Sequence, residues 1–212
     1  TPWAAGFAIV LFCLCFAISS LIPPFQSPDE VDHLKRAYLL SQGVLVLQSS
    51  TVTISEQKIV GSGGMIDRGL LRYMDHHFQF AAKPEMKRKA EEEKAVKSIT
   101  WEGEKILSLT PGTAYYFPLI YAPQAVALSL GKQLDLSVDQ SYFLARYLVV
   151  LSIGLLLLLA CYLYPIPIAA IALLGLPMTL FQMSTTSLDG ITFALAVVCV
   201  AGFMRMTSDD KN

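Results

Sequence analysis

The chain has 212 residues, of which 54% are hydrophobic and 16% charged, and a mean hydropathy of +0.51, which excludes disorder, a collagen-like repeat and a disulfide scaffold. A net charge of −1 gives no basic footprint for nucleic acid. Residues 23–115 carry 12 Asp/Glu and 12 Lys/Arg, and the nearly charge-free sequence around them calls for lipid.

Residues 1–22 come first, uncharged from Trp3 to Ile22. About 20 apolar residues, each rising about 1.5 Å, cross a hydrocarbon core of about 30 Å. A signal peptide would need a basic start and a small-residue cleavage site; Thr1-Pro2-Trp3 and Pro23-Pro24 supply neither, so a retained helix is expected. Residues 23–141 then form a polar loop with juxtamembrane helices. Within it, Ser27–Gly43 reads as a helix and Thr51–Ser55 alternates like a strand, while Gly61-Ser62-Gly63-Gly64 reads as a flexible break. Ile66, Leu70, Tyr73 and Met74 share a helical face, and Pro84–Ser98 reads as a solvated, charge-dense helix with pairs such as Glu93 to Lys97. Phe117–Gly131, interrupted by Pro118 and Pro123, is too short to cross and is expected to be juxtamembrane or re-entrant, with Tyr115, Tyr116 and Tyr121 in an aromatic interface belt.

Further spans are expected at 142–164, around Leu155–Leu159, at 166–183, and at 191–206, where the apolar run from about Leu188 to Met204 stops at Arg205. Residues 184–190 form a second loop and 207–212 a tail. Arg205 and Lys211 favour a cytoplasmic tail, which places both termini inside and both loops outside. The expected fold is therefore all-α and polytopic, with about four transmembrane helices and a mixed, mainly helical external insert. Cys13, Cys15, Cys161 and Cys199 all fall in apolar spans, so neither a disulfide nor a Cys-based metal site is expected.

The chemistry-bearing stretch is Ser27-Pro28-Asp29-Glu30-Val31-Asp32-His33-Leu34-Lys35-Arg36. A capping box from Ser27 and Glu30, with Pro28 at the first helical position and Asp29 facing the helix dipole, accounts for part of it. It does not account for Asp32, His33 or Lys35-Arg36. On a helix Asp29, Asp32, His33 and Arg36 share a face, so a base and a phosphate-binding guanidinium would converge at the bilayer surface. Glu30 and His33, with Asp75-His76-His77, are of divalent-metal ligand type, yet two ligands on one turn define no site, and solvated histidines are the simpler account. Asp189, after Ser184-Thr185-Thr186-Ser187-Leu188, is an acid at a membrane boundary, with a helix N-terminus as the alternative explanation. Arg146 either snorkels to the interface or binds an anionic lipid head group.

The sequence Pro28-Asp29-Glu30-x-x-His33, followed by Arg36-Ala37-Tyr38 to Gly43, resembles the first external loop of GT-C-fold glycosyltransferases. It is most similar to a family of predicted bacterial multispan proteins carrying a P-D-E-x-x-H motif. Tyr116-x-Pro118-Leu119-x-Tyr121-x-Pro123, Leu144-x-Arg146-Tyr147 and Pro177-Met178 through Gln182-x-Ser184 to Ser187-x-Asp189-Gly190 follow in the matching order. The resemblance implies a bacterial inner-membrane, multi-pass protein that takes a sugar from a polyprenyl-phosphate donor at the extracytoplasmic face. Asp29 and Asp189 would be its catalytic acids, with Glu30, His33, Arg36 and Arg146 binding substrate. Membrane lipid, the polyprenyl-phosphate sugar and envelope-glycan assembly proteins are the implied partners. No cofactor is implied with certainty, and a divalent metal stays open. Such enzymes have many more spans, so the chain is expected to be an N-terminal module. The alternative is a non-catalytic assembly or transport protein whose insert binds a partner.

Overall fold

The computed structural model describes residues 2–54, 57–80, 83, 85–87 and 89–209. It is mainly helical and divides into two compact units, one formed by residues 1–22 with 146–212 and the other by 23–145. The first holds the apolar helices α1 (Pro2–Leu21), most of α6 (Val138–Leu163), α7 (Ile168–Leu174), α8 (Pro177–Met183) and α9 (Asp189–Asp209). Among the described residues, α6 and α9 are long and apolar enough to cross a membrane. Their outward side chains, such as Leu155, Tyr162, Val200 and Phe203, are 58–79% exposed; a helix apolar on its outer face is matched to lipid. Close packing inside the unit depends on small residues: a Cβ on Gly154 would stand 2.9 Å from Phe12 of α1, and one on Gly190 would stand 2.8 Å from the Met183 Cα.

The expected helix over 166–183 is in fact two helices of seven residues each. Pro177 sits at the first position of α8, and Leu176 before it is extended at φ −64, ψ 139. Proline excludes the α conformation from its predecessor, so the helix ends there and restarts.

The polar unit contains α2 (Glu30–Ser41), the strands β1 (Gln48–Ile54), β2 (Gln57–Asp67) and β3 (Lys105–Leu109), and the helices α3 (Arg68–Phe78), α4 (Ala90–Lys97) and α5 (Ala122–Gln133), the last preceded by a 3-10 turn at Pro118–Tyr121. The mixed insert expected from sequence contains an antiparallel sheet in the order β1-β2-β3, so the chain is mainly helical rather than all-α. The glycines expected to break the chain lie in its central strand. A Cβ on Gly63 would stand 2.3 Å from the Ser108 carbonyl oxygen and one on Gly64 2.6 Å from Leu39, so their bareness admits β3 and α2 to the strand. Ser55 and Pro84, placed in a strand and a helix by sequence, lie outside the described residues, as does Lys211.

The core of this unit gathers Leu34, Ala37 and Tyr38 of α2 with Ile66, Leu70, Tyr73 and Met74, each no more than 1% exposed. Asp67 joins sheet to helix. Its fully buried carboxylate caps α3 by accepting from Gly69 N–H at 2.9 Å, and it also accepts from Glu102 N–H at 3.2 Å and Gly103 N–H at 3.0 Å.

Candidate functional site

The geometry of the site starts with the segment leading into α2. Phe25, at φ 58, is buried against Tyr142 and Tyr73, with ring centroids 4.9 and 5.8 Å away. A positive φ is rare for a bulky side chain and holds only where the surroundings fix it. Here the Phe25 N–H donates to the Tyr142 hydroxyl at 3.4 Å, and that hydroxyl donates to Glu30 Oε1 at 2.8 Å. Ser27 N–H donates to Glu30 Oε2 at 3.3 Å. The Glu30 arm of the expected capping box is therefore present, but α2 begins at Glu30, and Asp29 is its N-cap residue, in the left-handed region at φ 56, ψ 6. Glu30, 1% exposed, is the anchor of this turn and lines the first of two cavities there.

Asp29 is exposed and lines both cavities. The first, about 330 Å³, also takes in Glu30, Asp32, Asp75 and, as its one cation among the described residues, Lys35, over an apolar floor of Phe25, Met74 and Phe78. Burial pushes the Asp32 carboxyl above its ordinary range, against the pull of the Lys35 ammonium 3.5 Å away. Lys35 also donates to the Leu109 carbonyl at 3.3 Å, which ties the cavity wall to β3. The second cavity, about 300 Å³, is lined by Asp29, His33, Pro111, Gly112, Thr113, Tyr115 and Tyr116. His33 Nδ1 lies 2.9 Å from the Tyr121 hydroxyl. Tyr121 is fully buried, so it positions the imidazole rather than joining an interface belt.

The two arginines expected at substrate face main-chain oxygens. Arg36, 1% exposed, donates to the Val44 carbonyl at 3.0 Å and the Leu45 carbonyl at 2.7 Å, where the chain leaves α2 through Gly43 at φ 83. Burial draws its guanidinium below the usual arginine range, and it lines neither cavity beside Asp29. Arg146 belongs to the apolar unit and is fully buried, with Nη1 donating to the Ser19 carbonyl at 3.0 Å and the Ile22 carbonyl at 2.6 Å. There it faces the negative end of α1, fully buried rather than snorkelled to an interface.

Asp189 is the first residue of α9, half-buried, after four consecutive hydroxyl residues, Ser184 to Ser187, that are fully buried. Thr185 Oγ1 lies 3.1 Å from Ser187 Oγ and 3.1 Å from the Gln182 carbonyl oxygen. An acid on the first turn of a helix is favoured by the dipole. Among the described residues no three His, Cys, Asp or Glu side chains converge as a metal site. His77 packs edge-on to Tyr73, and His76 edge-on to Phe80.

Sequence reasoning found Asp29, Glu30 and His33 but not the tyrosines that hold the last two, Tyr142 and Tyr121, which lie 112 and 88 positions away. It also missed the second wall of the site. The signal for that wall is local: in Thr110-Pro111-Gly112-Thr113 a proline precedes a glycine that needs φ +80, and Thr113 N–H returns to the Thr110 carbonyl at 3.4 Å, a type II turn.

A family model described as "Predicted membrane protein (DUF2142)" matches residues 11–212. No curated protein and no solved structure matches the chain.

Proposed function

Because the chain belongs to this DUF2142 family of predicted membrane proteins, we propose that it is the N-terminal membrane module of a GT-C-like glycosyltransferase. In this reading it crosses the bacterial inner membrane four times, the third crossing being the broken pair α7–α8, and moves a sugar from a polyprenyl-phosphate donor to an acceptor at the extracytoplasmic face. The observation that supports it most is Asp29: an exposed carboxylate, held in a left-handed conformation where two cavities meet, at the start of the polar unit that follows the first apolar helix.

Asp29 takes the proton of the acceptor hydroxyl while that oxygen bonds to the anomeric carbon of the donor. The anomeric carbon–oxygen bond breaks, and its electron pair leaves on the lipid phosphate. Lys35 is the cation nearest to hand for that charge, being the one in the first cavity. His33, set by Tyr121, is a second proton-bearing group beside the acceptor. Arg36 serves by holding the chain where it leaves α2 and Arg146 by holding the end of α1, and Asp189 is assigned the role of a supporting acid.

The test is transfer from a radiolabelled polyprenyl-phosphate sugar by the whole protein in lipid nanodiscs. Asp29→Asn should lower the rate by about 100-fold or more, the usual contribution of a positioned base, with the melting temperature unchanged. Wild-type turnover in that variant would remove Asp29 from the chemistry. Asp189→Asn, assayed separately, should lower the rate less.

A further inference from the structure

We propose that the cavity between Asp29 and Tyr115 seats the acceptor, and that this acceptor is an uncharged carbohydrate ring stacked on Tyr115. The inference rests on the glycosyltransferase reading for the word acceptor, but its support is the cavity's own chemistry.

Charge comes first. Among the described residues neither Lys nor Arg lines this cavity, and Asp29 is the one carboxylate. A phosphate-bearing ligand would meet an anion with no cation to balance it, at a cost that a neutral polyol avoids. The donor's phosphate is therefore excluded from this side, whereas the hydroxyls of a sugar find a carboxylate acceptor and an imidazole.

Shape agrees. Tyr115 is 76% exposed, and its ring centroid lies 4.6 Å from that of Tyr116 at a tilt of 45°, so the two make an angled shelf. Tyr116 in turn lies 6.0 Å from the His33 ring. A pyranose or furanose carries C–H bonds on one face and hydroxyls around its rim. Its C–H face suits the electron-rich face of a tyrosine, and its rim suits Asp29 and His33. The volume of about 300 Å³ admits one ring with room for its linkage.

The shelf is also anchored. Thr110 N–H donates to the Ser62 carbonyl of β2 at 2.7 Å, and Thr113 Oγ1 closes on the Thr110 carbonyl at 3.1 Å. Gly112 completes that turn at φ +80. The turn that leads into the tyrosines is thereby tied to the sheet, which helps a binding platform keep its geometry.

The experiment is saturation-transfer NMR on the whole protein in nanodiscs, with methyl α-mannopyranoside, methyl β-glucopyranoside and methyl α-arabinofuranoside as probes and glucose 1-phosphate as the charged comparison. At least one neutral glycoside should receive saturation on its C–H face. Tyr115→Phe should keep that signal, and Tyr115→Ala should weaken binding about tenfold. The exposure of Tyr115 makes the truncation harmless to folding, which the phenylalanine variant and a thermal melt verify. Silence from all three glycosides, unchanged binding by Tyr115→Ala, or tighter binding of glucose 1-phosphate than of the methyl glucoside would overturn the proposal. Glycoside binding without any transfer from a polyprenyl-phosphate sugar would remove the glycosyltransferase reading and leave the shelf standing. Transfer whose acceptor KM ignores Tyr115→Ala would do the reverse.

Discussion

Tyr142→Phe removes one oxygen and should loosen the whole entrance to the site. That hydroxyl donates to the buried Glu30 carboxylate at 2.8 Å and accepts the Phe25 N–H at 3.4 Å. Hydrogen bonds to a charged partner contribute about 1.5–3 kcal/mol, and the long Phe25 contact adds less than about 1 kcal/mol, so the variant should lose about 2–4 kcal/mol. The loss should be local, with faster amide exchange at Phe25 and Ser27 in the whole protein, since Ser27 N–H shares the same carboxylate. Asp29 lies between these anchors, so under the proposed function acceptor turnover should fall while the pH profile keeps its shape. A double-mutant cycle with Glu30→Ala, which removes the acceptor oxygen, isolates the pair: the coupling should be about 1.5–3 kcal/mol. A coupling below about 0.5 kcal/mol, within the scatter of independent sites, would refute the idea that Tyr142 holds Glu30.

Two more predictions concern the same unit. Asp67→Ala strips three main-chain N–H groups of their acceptor at a fully buried position; it should cost about 3–5 kcal/mol and raise amide exchange together at Gly69, Glu102 and Gly103, whereas an effect confined to Gly69 would reduce Asp67 to a simple helix cap. Asp32 has a folded pKa above its unfolded one, so the folded state holds this proton more tightly and the residue costs stability increasingly as pH rises from the unfolded value of about 3.9 through the folded one. Asp32→Asn should therefore gain on wild type as pH rises from about 3.5 to 7, measured by denaturant unfolding of the whole protein; a gain that shrinks with pH would show that the Lys35 pair outweighs burial.

The sequence carried the elements that depend on local rules. Apolar runs marked the long helices, and the dense charge of 23–115 marked a separate unit, which the structure resolves as 23–145. Capping logic located α2 to within three residues of its start. Where reading failed, the deciding partner was remote. Arg146 is explained by two carbonyl oxygens 124 and 127 positions earlier, which no hydropathy window contains. The glycines of β2 look like a break because local propensity counts their backbone freedom, while the structure uses their missing side chains to bring β3 and α2 close. The third apolar run misled for a different reason: hydropathy counts Pro177 as one more permissible residue, although its ring acts on the conformation of Leu176.

The contact between Arg146 and the end of α1 acts as a gauge of register. A slide of one helical turn, about 5.4 Å, would carry the Ser19 and Ile22 oxygens beyond reach and cost the buried guanidinium both of these bonds. Intermediate positions satisfy neither oxygen, so α1 has one seat on α6 rather than a continuum. Because arginine stays protonated throughout the physiological range, acidification cannot release that seat. The point where the first apolar helix ends, and where the chain turns toward Pro23, is thus held in part by a side chain on another helix.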